Sequence, residues 1–375
     1  ALEANTTSNS NTAVGHKALA NNTTGSANTG LGYNALTNQT TGGENTAVGR
    51  EALNAQQSVS GNTGVGYRAL FTNSTGIENV GVGASALESN TTGSTNTAVG
   101  WKALEATTTA DGNTAVGAYA LLSNTTGTEN NAFGKSALGA NTTGNYNNAF
   151  GREALRDNTT GDNNVAFGHE ALEDNTTANA NTAVGYRSLR LNTTGATNVA
   201  VGVWALYSNS TGSDCVAVGN GALYSNTVSN NTAVGSNALL SNTSGSGNIA
   251  IGHDSLEANT TTNNNTAIGF EALKNATASN NVAVGNYNLD STTTGSNNTA
   301  LGYGVMQANT TGVDNTAIGL NALLANTTGN YNTAVGSKAL NTSTTASDCI
   351  GLGYQAGRDN HSIRLLAIGY NAGLN

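Results

Sequence analysis

The chain has 375 residues, including 48 Gly, no Pro and two Cys, with 9% charged residues and a formal net charge of −9. Ordinary globular domains carry about 25% charged residues and about 5% Pro. The 13 basic residues are scattered singly, which excludes a phosphate-neutralising nucleic-acid face, and no apolar run reaches the roughly 20 residues of a membrane helix. Such a polar, charge-poor composition also describes disordered chains. Here, however, 37% of residues are hydrophobic, and they recur in strict register, which disorder does not maintain.

The register is a 17-residue unit, N-T-A-V-G-x-x-A-L-x-x-N-T-T-G-x-x, with copies starting at Asn11, Asn28, Asn45, Asn62, Asn79, Asn96 and Asn113. It runs on through Asn130, Asn147, Asn164, Asn181, Asn198 and Cys215. The units starting at Cys215, Asn265 and Cys349 are one residue short, and the last copy starts at Leu365. Both ends fall mid-unit, and neither a signal peptide nor an initiator Met precedes the repeats. The expectation is a segment of a longer chain or of an end-to-end polymer.

Seventeen residues are too few for a helical repeat. T-A-V carries β-formers and ends in a turn glycine, so each unit reads as one coil with two or three short strands. Coils then stack by parallel pairing about 4.8 Å apart. The predicted fold is all-β: a parallel β-solenoid of the β-roll or β-helix kind, about 22 coils over residues 1–375 as one continuous domain, roughly 100 Å long at that spacing. Absence of Pro fits a ladder in which every N–H is used.

Within the unit, the fifth position is Gly in every copy (Gly15, Gly32, Gly49, Gly66, Gly83, Gly100 onward), as the turn requires. The fourth is a larger apolar residue: Val14, Leu31, Val48, Val65, Val82, Val99, Val116, then Phe133, Phe150 and Phe167. Strand alternation puts Thr12 and Val14 on one face and Asn11, Ala13 and Gly15 on the other. The fourth-position ladder is expected to fill the core together with Leu19, Leu36 and Leu53. The third position, always Ala or Gly, then lies on the opposite face against a close neighbour, either the opposing wall of the coil or another chain. A thin core of about four apolar side chains per coil favours lateral association, as a homotrimer.

The unit N-T-A-V-G-x-x-A-L resembles the N-S-x-A-I-G-x-x-A repeats of trimeric autotransporter adhesin heads. The fuller N-T-A-x-G-Y-x-A-L-x-x-N-T-T-G resembles repeat regions upstream of the intramolecular chaperone domain in phage tail spikes and bacterial surface fibres. The resemblance covers essentially the whole chain, although the adhesin-head unit has about 14 residues and no chaperone domain is present here. It implies an elongated, extracellular, homotrimeric attachment or spacer element.

Residues that could carry chemistry are sparse. The densest charged patch is Arg152, Glu153, Arg156, Asp157, Asp162, His169, Glu170, Glu173 and Asp174. It reads as a solvated surface; a polysaccharide-degrading β-helix enzyme, which would need clustered carboxylates, is the remote alternative. His16, His169 and His253 share one coil position but lie many coils apart, so no metal site or cofactor is expected. Cys215 and Cys349 are eight coils apart, about 38 Å, too far for a disulfide, and read as small substitutes in an Asn ladder.

N-x-S/T acceptors recur at the twelfth position: Asn22, Asn73, Asn90, Asn124, Asn141, Asn158, Asn175, Asn192, Asn209, Asn242, Asn259, Asn309 and Asn326. One reading makes this column a line of N-glycans. The other makes Asn-Thr-Thr-Gly a corner, which accounts for the glycine too. Ice binding, a rival function, needs two outward Thr columns at spacing i, i+2, whereas Thr23-Thr24 and Thr142-Thr143 are adjacent and only Asn22 with Thr24 shares a face. Tyr33, Tyr67, Trp101, Tyr186, Trp204, Phe270, Tyr303 and Tyr370 occupy the variable sixth and seventh positions, where aromatic rings can stack on sugars. The combined expectation is a non-catalytic structural or adhesive fibre element at a cell surface or on a virion. Its expected partners are copies of itself, as homotrimer or filament, and surface glycans or a receptor; nucleic acid and membrane insertion are not among them.

Overall fold

The computed structural model of the chain describes residues 1–374, and each repeat in it makes one coil. Thr, Ala and Val extend at the second to fourth positions, and the fifth-position glycine stops them: Gly15 and Gly32 sit at φ 125° and 138°. Twenty-two three-residue strands result, and no helix occurs among the described residues. The two or three strands per coil expected from the sequence reduce to one. The remainder is turn, because the seventh, ninth and seventeenth positions take the left-handed region, as in Lys17 (φ 56°), Leu19 (φ 51°) and Ala27 (φ 57°). A left-handed residue costs roughly 1–2 kcal/mol without glycine, and here it recurs in every coil. Main-chain bonding between coils persists through these turns: Leu19 N donates to Ala35 O at 3.0 Å and Thr23 N to Thr40 O at 2.9 Å.

The chain groups into two compact units, Ala1–Thr194 and Gly195 onward. The first carries β1 (Thr12–Val14) to β11 (Thr182–Val184), and the second β12 (Val199–Val201) to β22 (Leu366–Ile368). Strands within each unit pair in parallel with like on like. Thr12 faces Thr29, Ala13 faces Gly30 and Val14 faces Leu31. In the second unit the step shortens from 17 to 16 at three places, where Val216 pairs Thr232, Thr266 pairs Val282 and Ile350 pairs Leu366.

Alternation holds along the strand, but inside and outside are the reverse of the sequence expectation. The third position is interior: Ala47, Ala98 and Ala115 are fully buried. The fourth position faces outward, with Val14 56%, Leu31 44% and Phe167 58% exposed. Val48, Val65, Val82, Val116, Phe133 and Phe150 are half-buried on that outer face, and Val99 is exposed. Leu19, Leu36 and Leu53 are fully buried and, with the eighth-position alanines, form the apolar core. The ninth-position leucine decides the inversion. A Cβ placed on Gly30 would stand 3.3 Å from Leu19 Cγ, so the leucine of one coil already occupies the space in front of the strand. Only Ala or Gly fits there. The small third position is therefore set by the opposing wall of the coil, not by a neighbouring chain.

Two columns of Asn share this interior. At the first position, Asn28 Oδ1 accepts the Asn45 main-chain N–H at 3.0 Å, while Asn28 Nδ2 donates to Gly42 O at 2.9 Å. At the twelfth, Asn141 Nδ2 donates to Asn124 Oδ1 at 2.9 Å and to Gly144 O at 3.0 Å. Where both columns carry Asn, the fifteenth-position carbonyl can take amide protons from each: Gly144 O also accepts from Asn130 Nδ2 at 2.8 Å. Buried amides are tolerable when satisfied in this way.

The three 16-residue coils each lose one of these amides, by pairing Cys215 with Asn226, Asn265 with Ala276, and Cys349 with Asn360. The corner after the twelfth position is shorter, so Asn226 Nδ2 reaches Val228 O, two residues on, at 2.7 Å, and Cys215 Sγ lies 3.2 Å from the same oxygen. Cys349 Sγ and Asn360 Nδ2 meet Ser362 O in the same arrangement, at 3.3 and 2.7 Å. Both thiols are buried and free, and burial pushes the Cys215 thiol above its ordinary pKa.

Asn141→Leu tests the ladder. It keeps the branching at Cγ, with bulkier methyls, but removes three bonds, including the one Asn141 Oδ1 accepts from Asn158 Nδ2 at 2.8 Å. Leaving buried partners unsatisfied should lower unfolding free energy by about 3 kcal/mol, read from the urea midpoint at unchanged m.

Candidate functional site

The candidate glycan column lies inside the molecule. Asn22, Asn73, Asn90, Asn124, Asn141, Asn158, Asn175, Asn192, Asn209, Asn242, Asn259, Asn309 and Asn326 are all fully buried. Their Nδ2 atoms point at the carbonyl three residues on, as in Asn22 to Gly25 O at 2.9 Å and Asn326 to Gly329 O at 3.0 Å. The sequons are corner chemistry, and no transferase could reach the amide in the folded chain. The adjoining threonine is also used: Thr142 Oγ1 donates to Thr159 O, and Thr159 Oγ1 to Thr176 O, each at 3.0 Å.

In the first unit, the charged patch resolves into an ion-pair network. Glu173, with its side chain 2% exposed, takes Arg156 and Arg190, the latter at 2.5 Å. Glu170 takes Arg187 Nε at 2.6 Å and Arg190 Nε at 3.1 Å, with His169 Nδ1 at 3.4 Å. Arg152 holds Glu153 at 3.0 Å and Arg156 holds Asp157 at 2.8 Å. Asp162 stands apart from this network, accepting the Asn145 main-chain N–H at 2.7 Å. Sequence reasoning gathered the acids but missed Arg187 and Arg190. The signal was available: each lies 17 residues beyond the glutamate it neutralises, hence directly above it.

Burial works to raise the Glu170 pKa, but the Arg187 hydrogen bond and the charges of Arg187, His169 and Arg190 outweigh it and hold the carboxyl below its ordinary range. Burial dominates at Asp174, whose carboxyl is pushed up. Glu153, His169 and Glu170 each bring one ligand atom within 4.8 Å of the others. A cation there would have to compete with the guanidinium groups already paired to both carboxylates, so the donor set suits arginine better than a metal.

His16, His169 and His253 act alike: each ring stacks on the aromatic residue one coil further on, Tyr33, Tyr186 and Phe270, with centroids 5.2, 5.7 and 5.5 Å apart. Trp101 leans on Tyr119 at 4.8 Å, and Tyr354 on Tyr370 at 5.3 Å. On the outward strand face, Phe133 and Phe150 stack at 4.8 Å and 6°, with Phe167 continuing the column at 5.8 Å. Among the described residues, no helix is long and apolar enough to cross a membrane.

No family model matches the sequence, and no curated protein matches it.

The pH response of the ion-pair network follows from the sign of the Glu170 shift. A carboxyl whose folded pKa lies below the ordinary 4.5 contributes stability above that pH and loses it as pH falls through the folded value. Glu170→Gln should therefore unfold at lower denaturant than the parent at pH 7. The two midpoints should converge in acid, as the pH falls through the lowered folded value, when urea unfolding is followed by circular dichroism.

Proposed function

We propose that the chain is a non-catalytic structural and adhesive element of an extracellular fibre, at a cell surface or on a virion, that associates laterally with copies of itself. The observation that carries this is the outward strand face. Contiguous exposed apolar surface of this kind marks interaction sites. Thr, Val, Ile, Leu or, at Asn131 and Asn148, Asn at the second position and Val, Ile, Leu or Phe at the fourth repeat without a charged residue from β1 to β11, and again from β12 to β22. A face made of identical rows meets its ideal complement in another copy of itself, since row spacing is then matched by construction. The homotrimer inferred from the third-position stripe loses that basis, because the stripe is interior; the fourth-position columns supply the surface instead. Mutual neutralisation of the Glu170 and Glu173 cluster supports a non-catalytic role, since neither carboxylate is left to act as acid or base.

Mass measurement by light scattering tests this reading. The parent should run at a multiple of 37.5 kDa, and Phe150→Lys, which places a charge in the middle of the face, should shift it to the single-chain mass with an unchanged circular dichroism spectrum. A single-chain mass for the parent at micromolar concentration would remove the proposal.

One observation favours a second reading. The same-face pair at i, i+2 is Thr12 with Val14, not Asn22 with Thr24, because Asn22 is buried and Thr12 and Val14 both face out. An array of Thr and Val about 4.8 Å by 6.8 Å in spacing is the kind of flat methyl-and-hydroxyl surface that orders water. Ice binding by this face predicts measurable thermal hysteresis in the parent, lost in Thr97→Lys. Lateral association predicts none. The Phe133, Phe150 and Phe167 rings, which stand proud of the Thr and Val rows, favour association.

A further inference from the structure

At the seventh coil position, three residues past the end of the strand, successive residues stand one above another. In the second unit this column reads Trp204, Gly221, Asn237. Gly221 leaves a notch where its neighbours carry side chains, and the notch opens a cleft of about 450 Å³. Trp204, 40% exposed, forms one wall. Tyr224, itself stacked on Tyr207 at 5.1 Å and 7°, lines the side, and Asn237 and Leu240 close the far end. A Cβ on Gly221 would stand 3.3 Å from both Asn237 Oδ1 and Leu240 Cδ1. The Asn237 amide is oriented by donating Nδ2 to Asp254 Oδ1 at 3.2 Å, which turns its Oδ1 toward the notch as an acceptor. No charged side chain lines the cleft.

Five coils later the seventh position again reads aromatic, glycine and asparagine, in Tyr287, Gly304 and Asn321, but Asp290 and Gln307 stand where Tyr207 and Tyr224 stood. There a Cβ on Gly304 would meet Asn321 Oδ1 at 2.7 Å and Leu324 Cδ1 at 3.8 Å. The nearby cleft of about 400 Å³ is lined by Ser291, Gln307, Ala308, Leu324 and Ala325, not by Gly304 or Asn321. Glycine is not demanded by the backbone at this position, because Trp204, Tyr119 and Tyr287 adopt the same left-handed conformation there at φ 56°, 63° and 57°. Gly221 is thus explained by the space it leaves, whereas at Gly304 the Asn321 amide already approaches closely.

We infer that the Gly221 notch is a binding subsite for an uncharged glycan, taking one pyranose ring. The C–H face of the ring stacks on Trp204, and a hydroxyl donates to the Oδ1 of Asn237. A pyranose presents one apolar face and a rim of hydroxyls, which is the complement of an aromatic wall facing an amide acceptor. The uncharged lining and the net charge of −9 select against acidic polymers. The inference deepens the adhesive half of the proposed function. Its failure would leave the fibre reading, which is decided by mass, untouched.

Trp101→Phe leaves Trp204 as the sole tryptophan reporter, since the chain has two Trp. This variant is titrated with cellohexaose, maltohexaose, xylohexaose, mannohexaose and chitohexaose up to millimolar concentration. A saturable change in Trp204 emission is expected with at least one of them. With that sugar, Gly221→Tyr should abolish the change and Asn237→Ala should weaken binding about tenfold, the size of one lost stacking or hydrogen-bond contact. Gly304→Tyr, five coils away, should leave the Trp204 response intact. No response to any of the five sugars, or binding unaffected by both Gly221→Tyr and Asn237→Ala, overturns the inference.

Discussion

Everything in this molecule follows from the distance between one coil and the next. At about 4.8 Å, a residue's nearest neighbour in space is its own equivalent, so the chain can use only side chains that tolerate themselves. A Cβ on Gly15 would lie 2.6 Å from the Gly32 carbonyl oxygen, and one on Gly66 as close to Gly83 O. The fifth position therefore has no alternative to glycine. Asn solves the opposite problem inside the coil, because its amide carries a donor and an acceptor and so pairs with a copy of itself. Leucine fills what is left.

This constraint also explains which parts of the structure were legible in the sequence. The period, the parallel register, the turn glycines and the leucine core could all be read directly, because each is a property of the repeat. What could not be read was the sense of the strand. Alternation separates Thr12 and Val14 from Ala13 but does not say which set faces in, and the hydrophobic rule points to valine. The ninth-position leucine overrides that rule, since it arrives at the interior from a left-handed turn that no local propensity announces. Leu19 at φ 51° is a residue whose burial outweighs its backbone conformation.

The same inversion reorders the functional candidates. Asparagines that look like glycan acceptors are the hydrogen-bonded interior, and valines that look like core are the outer surface. In the charged patch, Glu170 and Glu173 were visible in the sequence but their partners Arg187 and Arg190 were not sought one period away. The notch at Gly221 was missed for a related reason: a glycine in a variable column looks like mere tolerance. It acquires meaning only once Trp204 and Asn237 are seen to stand on either side of it.

The Asn columns also give the stack a chemical direction. In both columns the proton comes from the later coil and the lone pair from the earlier one, as when the Asn45 N–H meets Asn28 Oδ1 and Asn141 Nδ2 meets Asn124 Oδ1. A coil inverted end for end would set oxygen against oxygen with no hydrogen between them, deep in a region that water does not reach. Polarity is thus enforced from within. Each finished coil accepts only a successor laid down in the same sense, and the misfolded alternatives open to so repetitive a chain are correspondingly fewer.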